Sequence, residues 1–175
     1  KIEQIENREQ YLIDKQKELE KIKAEYESYS QKLHKMRAKM AKDLSDKMMQ
    51  ALADLNFEQC RFEVECEYRK DQMKKNGCSY ITFMISLNRG EPLKPLAAVA
   101  SGGELSRIML AFKSVFADKD QTETLVFDEI DAGISGKTAW KVSEKLAVLR
   151  NNHQVICITH LPQIAAMADS HYLIM

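Results

Sequence analysis

The sequence predicts an α/β fold: a mostly parallel sheet with flanking helices and an antiparallel hairpin, preceded by a long coiled-coil helix. Three observations predict it. Residues 1–56 contain no Gly and no Pro, and their apolar residues recur at alternating steps of three and four. Residues 60–88 switch to a period of two. From Ser101 onward the pattern runs helix, strand, helix, strand, helix, strand, which implies parallel strands covered by helices.

In the first helix, Leu19, Ile22, Tyr26, Tyr29, Leu33, Met36 and Met40 form a heptad seam. After Met40 the steps become four, through Leu44, Met48 and Leu52, and then three to Leu55. Repeated steps of four carry the apolar stripe around the helix. That predicts a helix that leaves a two-stranded coil and docks on a globular body. At 1.5 Å per residue the helix is roughly 75–80 Å long. This exceeds a small domain, which favours a coil over a helix packed along its own domain.

Next, Phe62, Val64, Cys66 and Tyr68 alternate with Glu63, Glu65 and Glu67, and Ile81, Phe83, Ile85 and Leu87 alternate in the same way. With Asn76-Gly77 between them, these read as two antiparallel strands with one buried face. Asn88-Arg89-Gly90-Glu91-Pro92 closes the second strand as a turn. Leu105, Ile108, Met109, Phe112 and Val115 then mark a helix, and residues 124–127 a short apolar strand. Ala139, Val142, Leu146 and Leu149 mark the next helix, and residues 155–159 another strand. A short helix is expected over 161–168, with Pro162 in its first turn, and a last strand from Tyr172.

The 175 residues suffice for one modest domain and an appendage. The chain starts at Lys1 without an initiator Met and stops at Met175 inside an apolar run, as expected of a fragment of a longer protein. Basic and acidic residues balance at 26 each, so bulk charge does not argue for nucleic acid. Cys60, Cys66, Cys78 and Cys157 lack CxxC spacing and are expected to be free thiols in a reducing cytosol, not zinc ligands. No apolar run approaches the length of a membrane span, and neither a span nor a signal peptide is expected.

Three segments carry chemistry. Leu125-Val126-Phe127-Asp128-Glu129 is a buried strand ending in two carboxylates at the edge of a parallel sheet where ligands sit. Asp128 there can hold Mg²⁺ through its water shell, and Glu129 can orient or deprotonate an attacking water. In isolation such a string is more often a polar strand end in solvent. Ser101-Gly102-Gly103-Glu104 has the spacing of a capping box, worth ~1 kcal/mol. Its glycines also let backbone N–H groups approach an anion at a helix N-terminus. Taken alone, cap and phosphate site are equally supported. His160 directly follows a strand, on the sheet edge of Asp128, where it can reach a phosphate oxygen or the attacking water; the plainer alternative is a strand-end histidine bonded to backbone. Gly136-Lys137-Thr138 resembles the tail of a P-loop, but Asp131 stands where that motif needs glycine, and no strand runs into it. Ser135 instead caps the following helix. The sequence has no other Gly-Lys-Ser/Thr, hence no Walker A element.

In order, these segments resemble the C-terminal half of an ABC/SMC-type ATPase head. Residues 101–104 resemble the ABC signature, 125–129 a Walker B strand with its catalytic glutamate, 130–133 a D-loop, and His160 a switch histidine. A coiled-coil arm just upstream points to the SMC-like branch. Ala100-Ser101-Gly102-Gly103-Glu104-Leu105-Ser106-Arg107, Phe127-Asp128-Glu129-Ile130-Asp131-Ala132-Gly133-Ile134-Ser135-Gly136 and Ile158-Thr159-His160-Leu161-Pro162-Gln163-Ile164-Ala165 are similar to the RecN family of bacterial DNA repair proteins.

The resemblance implies two heads that sandwich two ATP molecules, each site combining one protomer's Walker A with the other's signature. It assigns Asp128 as the Mg²⁺ partner, through water, and Glu129 as base or positioner of water. His160 becomes the γ-phosphate sensor. Ser101, Gly102, Gly103 and Glu104 become the signature that binds nucleotide in trans, and Asp131 a residue of the head–head interface. Arg107 would connect the signature helix to the strands. Residues 1–56 are expected to form a coiled-coil arm helix docking on the head, and residues 57–175 the C-terminal ATPase lobe. The implied partners are an N-terminal Walker A lobe, a second head in an ATP-dependent homodimer, and DNA. The implied setting is cytoplasmic and nucleoid-associated, with no membrane. The implied function is ATP hydrolysis by the full-length protein in double-strand-break repair and recombination, with these 175 residues inactive alone. A chromosome-organising SMC head and a non-catalytic coiled-coil scaffold are the alternatives.

Overall fold

The computed structural model describes residues 2–99 and 102–174, with side chains from residue 8 onward. The chain divides into two compact units: Lys1–Ala41 with Glu65–Thr82, and Lys42–Val64 with Phe83–Met175. Helix α1 spans Ile2–Ala53, as its lack of Gly and Pro dictates. Strands β1 (Arg61–Tyr68), β2 (Ser79–Ser86) and β3 (Lys94–Pro95) form one sheet in that order, β3 pairing antiparallel with β2. Helix α2 (Gly102–Phe116), strand β4 (Thr124–Phe127), helix α3 (Gly136–Leu149), strand β5 (Gln154–Cys157) and the short helix α4 (Pro162–Ala165) complete the order. Strands β4 and β5 pair in parallel, Phe127 opposite Cys157.

In the first unit, the end of the hairpin packs on one face of α1. The Tyr26 hydroxyl donates to the Lys74 carbonyl (2.8 Å) and accepts from the Lys74 N–H (3.0 Å). Arg37 Nη1 donates to the Asn76 carbonyl (2.8 Å), and Ser30 between them is buried. His34 Nδ1 lies 3.3 Å from Ser79 Oγ and 3.6 Å from Cys66 Sγ. Of these α1 residues the apolar repeat marks Tyr26 alone and passes over Ser30, His34 and Arg37. The seam residues Leu19, Ile22, Tyr29, Met36 and Met40 are exposed.

In the second unit, Met48, Leu52 and Leu55 at the end of α1 are fully buried. They join Ile108 and Leu110 of α2, Phe127 of β4, and Val142 and Leu149 of α3 in one core. Phe62, Phe83 and Phe112 add an aromatic cluster with ring centroids 5.4–6.0 Å apart.

Two local expectations change. No strand forms over the described residues 172–174, which are almost fully exposed and pair with no other strand. Ser135 stands at the N-cap of α3 with extended backbone, but its side chain makes no capping bond; its carbonyl instead accepts the Thr138 N–H (3.2 Å). No described helix is long and apolar enough to cross a membrane.

Candidate functional site

Parallel pairing of β4 and β5 ends both strands at one sheet edge, and the Ile158 N–H donates to the Phe127 carbonyl (2.9 Å) just beyond. Asp128, Glu129 and the segment 158–160 therefore emerge side by side. The chain turns sharply here, because Glu129 takes a left-handed backbone conformation (φ 56°). For a residue with a β-carbon this costs about 1–2 kcal/mol, and such conformations cluster at functional sites. Local bonds hold the turn. The Glu129 N–H donates to Asp128 Oδ1 (2.8 Å), and the Ala132 N–H donates to the Glu129 carbonyl (3.0 Å).

The start of α2 grips this loop. A β-carbon at Gly102 would collide with the Glu129 carboxylate. A β-carbon at Gly103 would lie 2.7 Å from the Ala132 β-carbon and 3.0 Å from the Glu129 carbonyl oxygen. Gly103 is thus needed for close approach of helix and loop, because its neighbours there are a β-carbon and a backbone carbonyl, while at Gly102 the obstacle is the movable end of the Glu129 side chain. One turn on, Ser106 Oγ donates to the Asp128 carbonyl (2.6 Å), and the buried Arg107 Nη1 donates to the Ala132 carbonyl (2.7 Å). Burial lowers the Arg107 pKa, with Glu104 opposing that shift. Arg107 therefore connects α2 to the loop after β4. Ser101, and with it the capping box, lies outside the described residues.

The loop turns its own carboxylate inward. Asp131 is buried, and its Oδ2 accepts from the Thr159 hydroxyl (2.5 Å) and the His160 N–H (2.8 Å), and lies 3.0 Å from His160 Nδ1. Burial pushes the Asp131 pKa upward, but these donors and the His160 charge outweigh it and hold the carboxyl below its ordinary range. The His160 side chain is 74% exposed. The Cys157 thiol is pushed up to about 11, by burial first and then by the charges of Asp131 and Asp128, so it stays protonated and unreactive at neutral pH.

Asp128, Glu129 and His160 are thus brought to one edge, with Gly102, Gly103 and the first turn of α2 beside them. Ser106 and Thr159 complete the site and were not singled out from sequence. Both lie inside the segments 100–107 and 158–165 that carry the family resemblance, which attached no role to them. Among the described residues, no three His, Cys, Asp or Glu side chains converge as a metal cage. Asp128 is solvent-exposed, with Oδ1 accepting the Glu129 N–H. A single exposed carboxylate fits Mg²⁺ held through its water shell and substrate phosphates.

Comparison with known proteins follows the same line. The chain is 40% identical over 187 residues to the DNA repair protein RecN of Bacillus subtilis, covering 99% of this chain and 32% of that protein. It is 45% identical over 134 residues to RecN of Vibrio cholerae, covering 77% and 24%. The chain spans about a third of the length of the first two curated relatives it matches. Among solved structures, it resembles the SMC head domain with extended coiled coil of Pyrococcus furiosus, bound there to the C-terminal domain of ScpA. The TM-score is 0.54 at 23% identity, covering 77% of this chain and 31% of that one. The SMC head with coiled coil and joint of Pyrococcus yayanosii gives a TM-score of 0.55 at 23% identity, covering 77% and 24%. These structures share the fold of an SMC-type ATPase head. No family model matches the chain.

Proposed function

This chain is a homologue of the RecN proteins along about a third of their length, and we propose that it forms the C-terminal half of an SMC-like ATPase head acting in DNA double-strand-break repair and recombination. Residues 1–56 serve as the coiled-coil arm and residues 57–175 as the lobe. A Walker A lobe supplies the other half of the head. ATP binding closes two such heads in a homodimer and hydrolysis reopens them, with the assembly engaging DNA in the cytoplasm at the nucleoid.

One observation carries this reading: two carboxylates and a histidine share the C-terminal edge of a parallel strand pair, against a helix that starts with two glycines. Asp128 holds Mg²⁺ through water, and that ion neutralises phosphate charge when present. Glu129 orients or deprotonates the attacking water, and its place on an exposed strand end leaves it reachable from solvent. His160 contacts the γ-phosphate or the water. Ser101, Gly102, Gly103 and Glu104 present the N-terminus of α2 to nucleotide held by the opposite head. Asp131 serves as the D-loop residue of the head–head interface.

ATP hydrolysis is the test, with a full-length RecN-type protein containing this segment assayed with and without linear DNA beside its Glu129→Gln variant. DNA-stimulated turnover that the variant abolishes, with an ATP-bound dimer trapped, supports the assignment. Equal turnover by both proteins removes Glu129 from catalysis, and turnover by the 175-residue chain alone overturns its description as a half-site.

A further inference from the structure

We propose that Asp131 is the positioning residue of His160: it fixes the imidazole through Nδ1 and leaves Nε2 as the atom that faces the reacting phosphate or water. The functional part rests on the ATPase assignment above; the geometric part does not.

The two side chains have opposite environments. Asp131 is 5% exposed, while the His160 side chain is 74% exposed. An exposed histidine ordinarily samples several rotamers and both neutral tautomers. Here one oxygen, Asp131 Oδ2, gathers the Thr159 hydroxyl, the His160 backbone N–H and His160 Nδ1. The backbone bond places the α-carbon of His160, and the 3.0 Å approach of Nδ1 to the same carboxylate oxygen sets the direction of the ring. Thr159 is itself fixed, since its Oγ1 accepts the Leu161 N–H (3.1 Å). An ionised carboxylate only accepts hydrogen bonds, so its approach to Nδ1 favours the tautomer of the neutral ring that carries its proton there. The lone pair then lies on Nε2, at the end of the ring away from the tether. There it can accept a proton from water, or hold one to donate to a phosphate oxygen.

Asp131 is in turn placed by α2. Arg107 holds the carbonyl of Ala132, the next residue, and Gly103 packs against the same residue. The orientation of His160 is therefore set through the loop by the helix that starts at the glycine pair.

The deciding measurement is the tautomer of His160 in the ¹⁵N-labelled 175-residue chain, read by long-range ¹H–¹⁵N correlation well above neutral pH. The expected result is the Nδ1–H form as the major species, the reverse of free imidazole side chains. Asp131→Ala should return the ring to the Nε2–H form while backbone signals of β4 and β5 stay in place. A wild-type ring already in the Nε2–H form overturns the proposal whether or not the variant folds, and so does an unchanged tautomer in folded Asp131→Ala.

In a full-length RecN-type protein, Asp131→Ala and His160→Ala should each lower kcat about tenfold or more, with little change in KM. The double variant should lose no more than His160→Ala alone. Additive losses would mean that Asp131 does not act through His160. Absence of ATPase activity in the parent protein would defeat the functional assignment and leave the tautomer result standing.

Discussion

Two stretches of α1 have the same kind of sequence and opposite fates. Met36 and Met40 are 62% and 64% exposed, while Met48 and Leu52, two and three turns further on, are fully buried. Helix propensity does not separate them, since both stretches are equally helical. The difference lies in what the chain offers each face. The later stretch meets α2, β4 and α3. Among the described residues, the earlier one meets the hairpin end, which covers Tyr26 and Leu33 of the seam along with Ser30, His34 and Arg37 and leaves Tyr29, Met36 and Met40 exposed. An apolar repeat therefore marks a surface that has to be covered, without stating whether the cover lies in the same chain.

That contrast can be broken by substitution. Leu52→Ala should destabilise the protein by about 2–5 kcal/mol, read from the urea midpoint, because it empties a packed site. A loss below about 1 kcal/mol would mean that the end of α1 is not part of the core. Tyr26→Phe should cost roughly 1 kcal/mol, because the Lys74 N–H and carbonyl lose their shared partner. Faster hydrogen exchange at Lys74 should accompany it, and unchanged exchange would detach the hairpin end from the helix. Smallest in stability is Tyr29→Glu with Met36→Glu, expected within about 0.5 kcal/mol of wild type. Sedimentation should nevertheless shift toward monomer, because the seam is what draws a second helix. A wild-type chain that stays monomeric at high concentration would show that the seam is not sticky in this chain.

Much of the site was legible because its determinants are local. Strand β4 has the expected bounds, and the parallel pairing that puts Asp128, Glu129 and His160 at one edge follows from the alternation of helix and strand. Asp131 lies in the turn that follows β4, as its position in the sequence implies, but which way it faces depends on the left-handed turn at Glu129. Nothing in the sequence marks such a turn at a glutamate. The hairpin's contact with α1 was hidden in part, because the seam includes Tyr26 and Leu33 but not the polar Ser30, His34 and Arg37 that share the contact. The strand expected at Tyr172 was read from an apolar run, although a strand also needs an edge to pair with.

Gly103 has one further consequence, best put as stiffness. Between Gly103 and Ala132 there is no room for a methyl group, so no gap exists to absorb motion. Packed interiors resist compression and pass strain along. A push of a few tenths of an ångström on the first turn of α2 must therefore move the loop 129–132. The absence of a side chain acts here as a rigid strut, and refilling that position with even one carbon would change its length.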